Sequence, residues 1–321
     1  MIIFIGSKYE FNLLSLSAEA TAQGKDCILF QTSPKDPDWK VSASSASTPF
    51  LEHIATGKKV HSSEVTGIWC RSADFPHFYR PEIDEIEISA KTYFAAEWSC
   101  TISGFFSQLR GKWSNRPQII KTSGNRILQM YAAPAFGLCV PNWIVTCSQL
   151  ELADFVRTNK GKAFITKAIN EGSPDECGEI TPNTVKIKNP IEDLISDVGK
   201  LPLLVQVAII TSKIVRAYVI GESVFAAEGL VDLNDEIYLD SRLDLSDIKK
   251  YPYIQHKLPE KIVESLVCLA KSLGLLYGAA DLLLDQDGCY WFLEINPSGQ
   301  WAWIEQQTGQ PLTSEIIKLL S

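Results

Sequence analysis

Asp281, Glu294 and Asn296 bear oxygen side chains within two apolar runs, "YGAADLLL" and "YWFLEIN", joined by the turn sequence "DQDG". A carboxylate among apolar residues needs a partner, because removing its charge from water is costly. Alternation along an extended chain puts Glu294 and Asn296 on one face. If the two runs pair as a hairpin, Asp281 comes alongside them. Two acids and one amide oxygen form a hard-oxygen set of the kind Mg²⁺ takes. A plainer reading also fits, in which Asp281 ends a strand and Glu294 forms a structural ion pair.

Other candidate groups are scattered. Lys167 in "AFITKAI" is a single lysine among apolar neighbours, a pattern that also fits a side chain snorkelling from the core edge. Arg216 in "KIVRAYVIG" reads alone as a surface ion pair. The eight cysteines include no C-x-x-C, and none of the four histidines is spaced for zinc. No nucleophile elbow or Ser-His-Asp order is present. With a net charge of −8 and no Lys/Arg-rich run, the chain lacks the footprint of a nucleic-acid binder. The apolar runs are strand-length, and "MIIFIGSKYEF" has neither a basic n-region nor a cleavage site, so a cytoplasmic protein with no membrane partner is expected.

These groups must be positioned by regular elements. "MIIFIG", a helix from Glu10 to Gly24, and "CILFQ" read as β-α-β, with "VTGIWCR" as a further strand. The segment "TSPKDPDWKVSASSAST" reads as loop. A long helix follows Pro81 and stops near Gly111. A second helix begins at about Asn125 and ends near Gly137, with Pro134 expected to shorten or kink it. Strands are expected after Pro141 and at "AFITKAI", followed by a long loop at "NEGSPDECGEITPN". The last third reads as the strands "LLVQVAI", "KIVRAYVIG" and "SVFAAEG", a helix over 259–274, and the two apolar runs. This gives three α+β units, 1–117, 118–205 and 206–321.

The segment "GAADLLLDQDGCYWFLEINPSGQW" resembles the terminal metal-binding segment of ATP-grasp ligases. Its "FLEINPSGQW" ending is similar to the microviridin-type subgroup, the graspetide macrocyclases that crosslink ribosomally made peptides. The resemblance extends through "WCRSADFP", "WSNRP", "NRILQMYAAPAFGLCVP", "FITKAI", "LLVQVAI", "IVRAYVIGESVFAAE" and "DSR" at Asp240 to Arg242. It implies the three-domain ATP-grasp fold, with ATP between the central and C-terminal domains.

Residue by residue, the resemblance implies that Asp281, Glu294 and Asn296 hold Mg²⁺ against the ATP phosphates. Lys167 matches a phosphate-contacting lysine. Gln206, Val207, Ala208 and Ile209 match the linker at the adenine, and Lys213 is carried over as a further nucleotide contact. Arg216 and Arg242 match arginines near the transferred phosphate. Arg126 stands where a lysine is usual, while Val207 and Ile214 stand where acidic residues are common, so ribose or adenine contacts are altered. The implied activity joins a carboxylate to an alcohol or amine within one precursor peptide, leader plus core, through an acyl phosphate. An intermolecular amino-acid or peptide ligase and a non-catalytic peptide or nucleotide binder are the alternatives. The resemblance leaves room for a homodimer.

Overall fold

Every residue of β1 (Ile2–Gly6) is buried, as is usual for a parallel strand covered on both faces. The computed structural model describes residues 1–31, 39–71, 88–167, 169, 184–186, 202–211, 213–230 and 252–321. α1 (Phe11–Ala22) crosses from β1 to the parallel β2 (Cys27–Gln31), and Gly24 takes the left-handed φ of 68° that ends the helix.

The expected loop is partly a sheet. β3 (Trp39–Ser44), β4 (Ser47–His53) and β5 (Lys59–His61) form an antiparallel meander. Trp39, Leu51 and Val60 are buried while the serines between β3 and β4 stay exposed. Serine-rich composition concealed a one-sided strand pattern. β6 (Gly67–Cys70) pairs with β1, α2 (Ile88–Ser107) follows, and β7 (Lys112–Trp113) completes a parallel sheet of order β2-β1-β6-β7.

α3 (Pro117–Ser123) starts on proline, whose missing N–H costs nothing in a first turn. α4 (Arg126–Ala132) is capped by Asn125, which accepts a bond from the Leu128 N–H. Pro134 then lies in a 3₁₀ turn, Ala133–Phe136, closed by Gly137 at φ 81°, so the expected interruption is present. β8 (Trp143–Thr146), α5 (Gln149–Thr158), β9 (Phe164–Lys167), β10 (Thr184–Lys186) and β11 (Leu203–Val207) build an antiparallel sheet ordered β10-β9-β11-β8. The expected long loop "NEGSPDECGEITPN" lies outside the described residues.

β12 (Lys213–Ile220), β13 (Ser223–Leu230), β14 (Tyr253–His256), α6 (Glu260–Ser272), β15 (Tyr277–Leu284) and β16 (Tyr290–Asn296) supply a five-stranded antiparallel sheet of order β14-β13-β12-β15-β16, with α6 packed on one face. α7 (Ala302–Thr308) and α8 (Leu312–Leu320) close the chain. Both pack into a core shared by Ile2, Phe4 and Trp69 of the first sheet and by Tyr218, Ile220 and Tyr277 of the last. At its centre Trp69 meets Tyr277 and Trp301 edge-on, each at 4.8 Å between ring centroids. The first and last sheets are thereby joined by apolar packing. Among the described residues no helix is long and apolar enough to cross a membrane.

Candidate active site

Strand register assembles the charged groups. β15 lies between β12 and β16, and Asp281 stands directly opposite Arg216 on one side and Glu294 on the other. Directly opposed residues share a face, so the three form a row across three strands. The next row is Tyr218, Ala279 and Asn296. A bulge at Asp281/Leu282 interrupts the ladder beside Glu294 and re-aims the chain there.

Both carboxylates face arginines. Arg216 Nη1 lies 2.9 Å from Asp281 Oδ1, and its Nε donates to Tyr218 Oη at 3.0 Å. The side chains of Arg216 and Asp281 are 8% and 4% exposed. Burial opposes the Arg216 charge, but Asp281 and Tyr218 outweigh it and hold its pKa above the usual value. Burial also raises the Tyr218 pKa despite Arg216, so the phenol keeps its proton and donates to the Gln300 carbonyl at 2.8 Å. Arg126, from α4, pairs through Nε with Glu294 Oε2.

The ion pairs of the plainer reading are therefore formed. They use Asp281 Oδ1 and Glu294 Oε2, and a carboxylate offers about four lone-pair sites. Asn296 Oδ1 accepts the Ser298 N–H at 2.8 Å, which occupies one of its two lone pairs. Among the described residues no group of three or more His, Cys, Asp or Glu is placed to hold a metal. Asp281, Glu294 and Asn296 lie in adjacent rows on one face, and carboxylate and amide oxygens are donors of the kind Mg²⁺ takes.

Beside this row opens a cleft between the β10-β9-β11-β8 sheet and the five-stranded sheet. Lys167, Gln206, Val207, Ala208 and Ile209 line one side, with Ile214, Leu283 and Leu293 across from them. Gln206 is 2% exposed; its Nε2 contacts Met130 Sδ at 3.1 Å, and its Oε1 has no partner. A buried acceptor left unpaired is costly, which makes this oxygen a candidate for a ligand donor. Val207 and Ile214, the expected departures, both border the cleft, with the Val207 side chain packed in the core beside Leu152 and Val205. Thr211 pins the end of the linker by donating to the carbonyls of Lys213 and Leu284, at 2.8 and 2.7 Å.

One carried-over residue is not part of this assembly. Lys213 alternates with Ile214 and so leaves the opposite face of β12, where its Nζ meets Glu228 Oε1 at 2.7 Å. Glu228 also bonds His256, whose Nε2 lies 2.8 Å from Tyr290 Oη. Lys213 thus belongs to a network on the α6 side, on the face of β12 opposite Ile214. Arg242 lies outside the described residues.

Sequence reading also missed how the segment after Glu294 is held. Gln129 bonds both the N–H and the carbonyl of Ile295, each at 2.8 Å. Asn115 donates to Pro297 O at 2.8 Å, Arg71 to Ser298 O, and Tyr277 Oη to Gly299 O at 2.7 Å. Asn12 Oδ1 accepts from the N–H groups of Trp301 and Ala302 at 3.1 and 3.0 Å. The Asn of "WSNRP" and the Gln of "NRILQMY" were visible in the sequence, but nothing local named their partners more than 160 residues away.

No protein-family profile and no curated protein matches the chain in sequence. Solved structures do. The macrocyclase MdnC of Microcystis aeruginosa MRC, bound with precursor peptide MdnA, superposes with a TM-score of 0.85 at 22% identity, over 100% of this chain and 99% of that one. A RiPP-associated ATP-grasp ligase of Chryseobacterium gregarium, in complex with ADP and a leader and core peptide, gives 0.86 at 20% identity, over 99% and 96%. The chain has the ATP-grasp fold. D-cycloserine synthetase DcsG superposes less well, at a TM-score of 0.58 and 11% identity over 100% and 98% of the two chains. The ATP-grasp fold expected from "GAADLLLDQDGCYWFLEINPSGQW" is therefore present, in a chain whose cleft and charged row adjoin.

Proposed function

We propose that this protein is an ATP-dependent carboxylate ligase that closes ester or amide rings between side chains of a ribosomally made precursor peptide. The observation that carries the reading is the placement of Arg216, Asp281 and Glu294 in one row, with Arg126 paired to Glu294, beside a cleft lined by Lys167 and Gln206–Ile209, on an ATP-grasp fold. Two full-length structural neighbours, each solved with a precursor or a leader and core peptide, support the choice of substrate class. Three units, 1–117, 118–205 and 206–321, are proposed as its domains, with ATP between the second and third; β11 runs through the second boundary.

Asp281, Glu294 and Asn296 would hold Mg²⁺, which when bound neutralises phosphate charge and so lowers the barrier to transfer. Lys167 and the linker 206–209 would orient the nucleotide, with Gln206 Oε1 offering an acceptor to the exocyclic amino group of adenine. The Arg216 guanidinium, fixed by Asp281 and Tyr218, would face the transferred phosphoryl group, where a pre-oriented charge stabilises the transition state most. A peptide Asp or Glu oxygen bonds to the γ-phosphorus as the bond to ADP breaks, giving an acyl phosphate. A Ser or Thr hydroxyl, or a Lys amine, of the same peptide then attacks the acyl carbon. Inorganic phosphate leaves and the nucleophile's proton passes to solvent.

The test is to find beside the gene a reading frame for a leader and a core with spaced Asp/Glu and Thr, Ser or Lys, and to follow that peptide by intact-mass spectrometry after incubation with the protein, ATP and Mg²⁺. Loss of one water per ring is expected, with ADP release, and Glu294→Gln should abolish both while leaving the circular dichroism spectrum unchanged. A mass increase, or ADP release only with free amino acids, would refute ring closure and indicate an intermolecular ligase.

A further inference from the structure

We infer that Gln129 is a positioning residue for the carboxylate–amide set and that it acts through the backbone of Ile295. This rests on the ligase reading above. Ile295 separates Glu294 from Asn296, and its own side chain is buried with the α6 core on the opposite face. β16 is the outermost strand of its sheet, so the N–H and carbonyl of Ile295 project to where another strand would lie.

Gln129 takes that strand's place. Its Oε1 accepts from Ile295 N at 2.8 Å, and its Nε2 donates to Ile295 O at 2.8 Å and to Ser123 O at 2.6 Å. A carboxamide suits this position because it carries a donor and an acceptor in peptide-like geometry. The residue is 1% exposed. Three positions earlier on the same edge, Phe292 N donates to Cys139 O at 2.7 Å, so the edge is closed on both sides of Glu294. On the inner edge the ladder is interrupted by the bulge at Asp281/Leu282. The outer hold therefore matters most at Glu294.

Arg126 strengthens the assignment. It lies three residues before Gln129, on the same face of α4, and pairs with the Glu294 carboxylate. One helix thus grips the side chain of Glu294 and the backbone immediately after it. A residue that merely closed a sheet edge would have no reason to sit between two candidate metal ligands. Partners that orient metal ligands from outside commonly change metal affinity by about ten- to a hundredfold when removed.

The experiment is calorimetry of a non-hydrolysable ATP analogue binding to the full chain, with EDTA and across a Mg²⁺ series. Gln129→Met keeps the length but removes both polar atoms. Gln129→Glu keeps the acceptor for Ile295 N and sets a carboxylate against two carbonyls, which gives a second variant should the first fail to fold. Ile102→Ala, in the buried core of the first sheet, serves as a control for general destabilisation. Both Gln129 variants should need about ten- to a hundredfold more Mg²⁺ for half-maximal tightening, with affinity in EDTA unchanged. The control should melt earlier with its Mg²⁺ midpoint unmoved. A folded Gln129 variant with the wild-type midpoint overturns the inference, and so does an equal loss of affinity with and without Mg²⁺. If the wild-type protein binds nucleotide without any response to Mg²⁺, the ligase reading falls first.

Discussion

Replacing Asn115 by alanine should loosen the junction between the first and last sheets. Asn115 is 3% exposed and makes four bonds to backbone. Its Nδ2 donates to Tyr277 O and Pro297 O, both at 2.8 Å, and its Oδ1 accepts from Leu276 N and Tyr277 N at 3.0 and 3.3 Å. The truncation leaves all four backbone groups without this partner, beside the packed rings of Trp69, Tyr277 and Trp301. At about 1 kcal/mol net for each bond, the loss is roughly 4 kcal/mol. That is a large part of the ~5–15 kcal/mol that holds a typical protein folded. At ~2–4 °C per kcal/mol for a larger domain, the melting temperature should fall by about 8–16 °C. Urea and thermal unfolding followed by tryptophan fluorescence would measure this, since Trp69 and Trp301 are at the junction. Asn115→Asp should be at least as unstable at neutral pH, because it retains the acceptor but opposes two carbonyls with a carboxylate. A loss below about 1 kcal/mol for Asn115→Ala would refute the reasoning, because the four backbone groups would then be finding other partners at little cost.

Lys167→Met keeps the aliphatic stem in the cleft wall but removes the charge, so calorimetric ATP affinity should fall while the melting temperature holds; unchanged affinity would make Lys167 structural only. Burial raises the Glu228 pKa, but its bonds to Lys213 and His256 outweigh burial and hold it below the ordinary carboxylate value. Its contribution to stability is then full above about pH 4.3 and is lost as pH falls through the lowered folded value, so acid unfolding of Glu228→Gln should show a weaker pH dependence than wild type.

Much of the candidate site was legible in order along the chain. The β-α-β opening, the two apolar runs and the period-2 placement of Glu294 and Asn296 follow from residue types and spacing, because burial on one or both faces imposes those patterns locally. The same reasoning failed at β3–β5, where only Trp39, Leu51 and Val60 mark the buried side and serine fills the other. Lys213 shows a second limit. Alternation alone puts that lysine opposite Ile214, but which face of β12 meets the cleft depends on where the β10-β9-β11-β8 sheet packs. By itself, the sequence determined which residues could bear charge or bind hard cations, and which strands would carry them. Only the tertiary structure decided that Asp281 would lie between Arg216 and Glu294, that Arg126 and Gln129 would reach the same short strand, and that Asn12, Asn115 and Arg71 would hold the segment beyond it. Apart from the hairpin pair Asp281 and Glu294, those contacts join residues 65 to 290 positions apart, and their partners are backbone groups or single side chains with no local signature. Register and sheet order bring them together, through the packing of a whole core rather than the preference of any one segment.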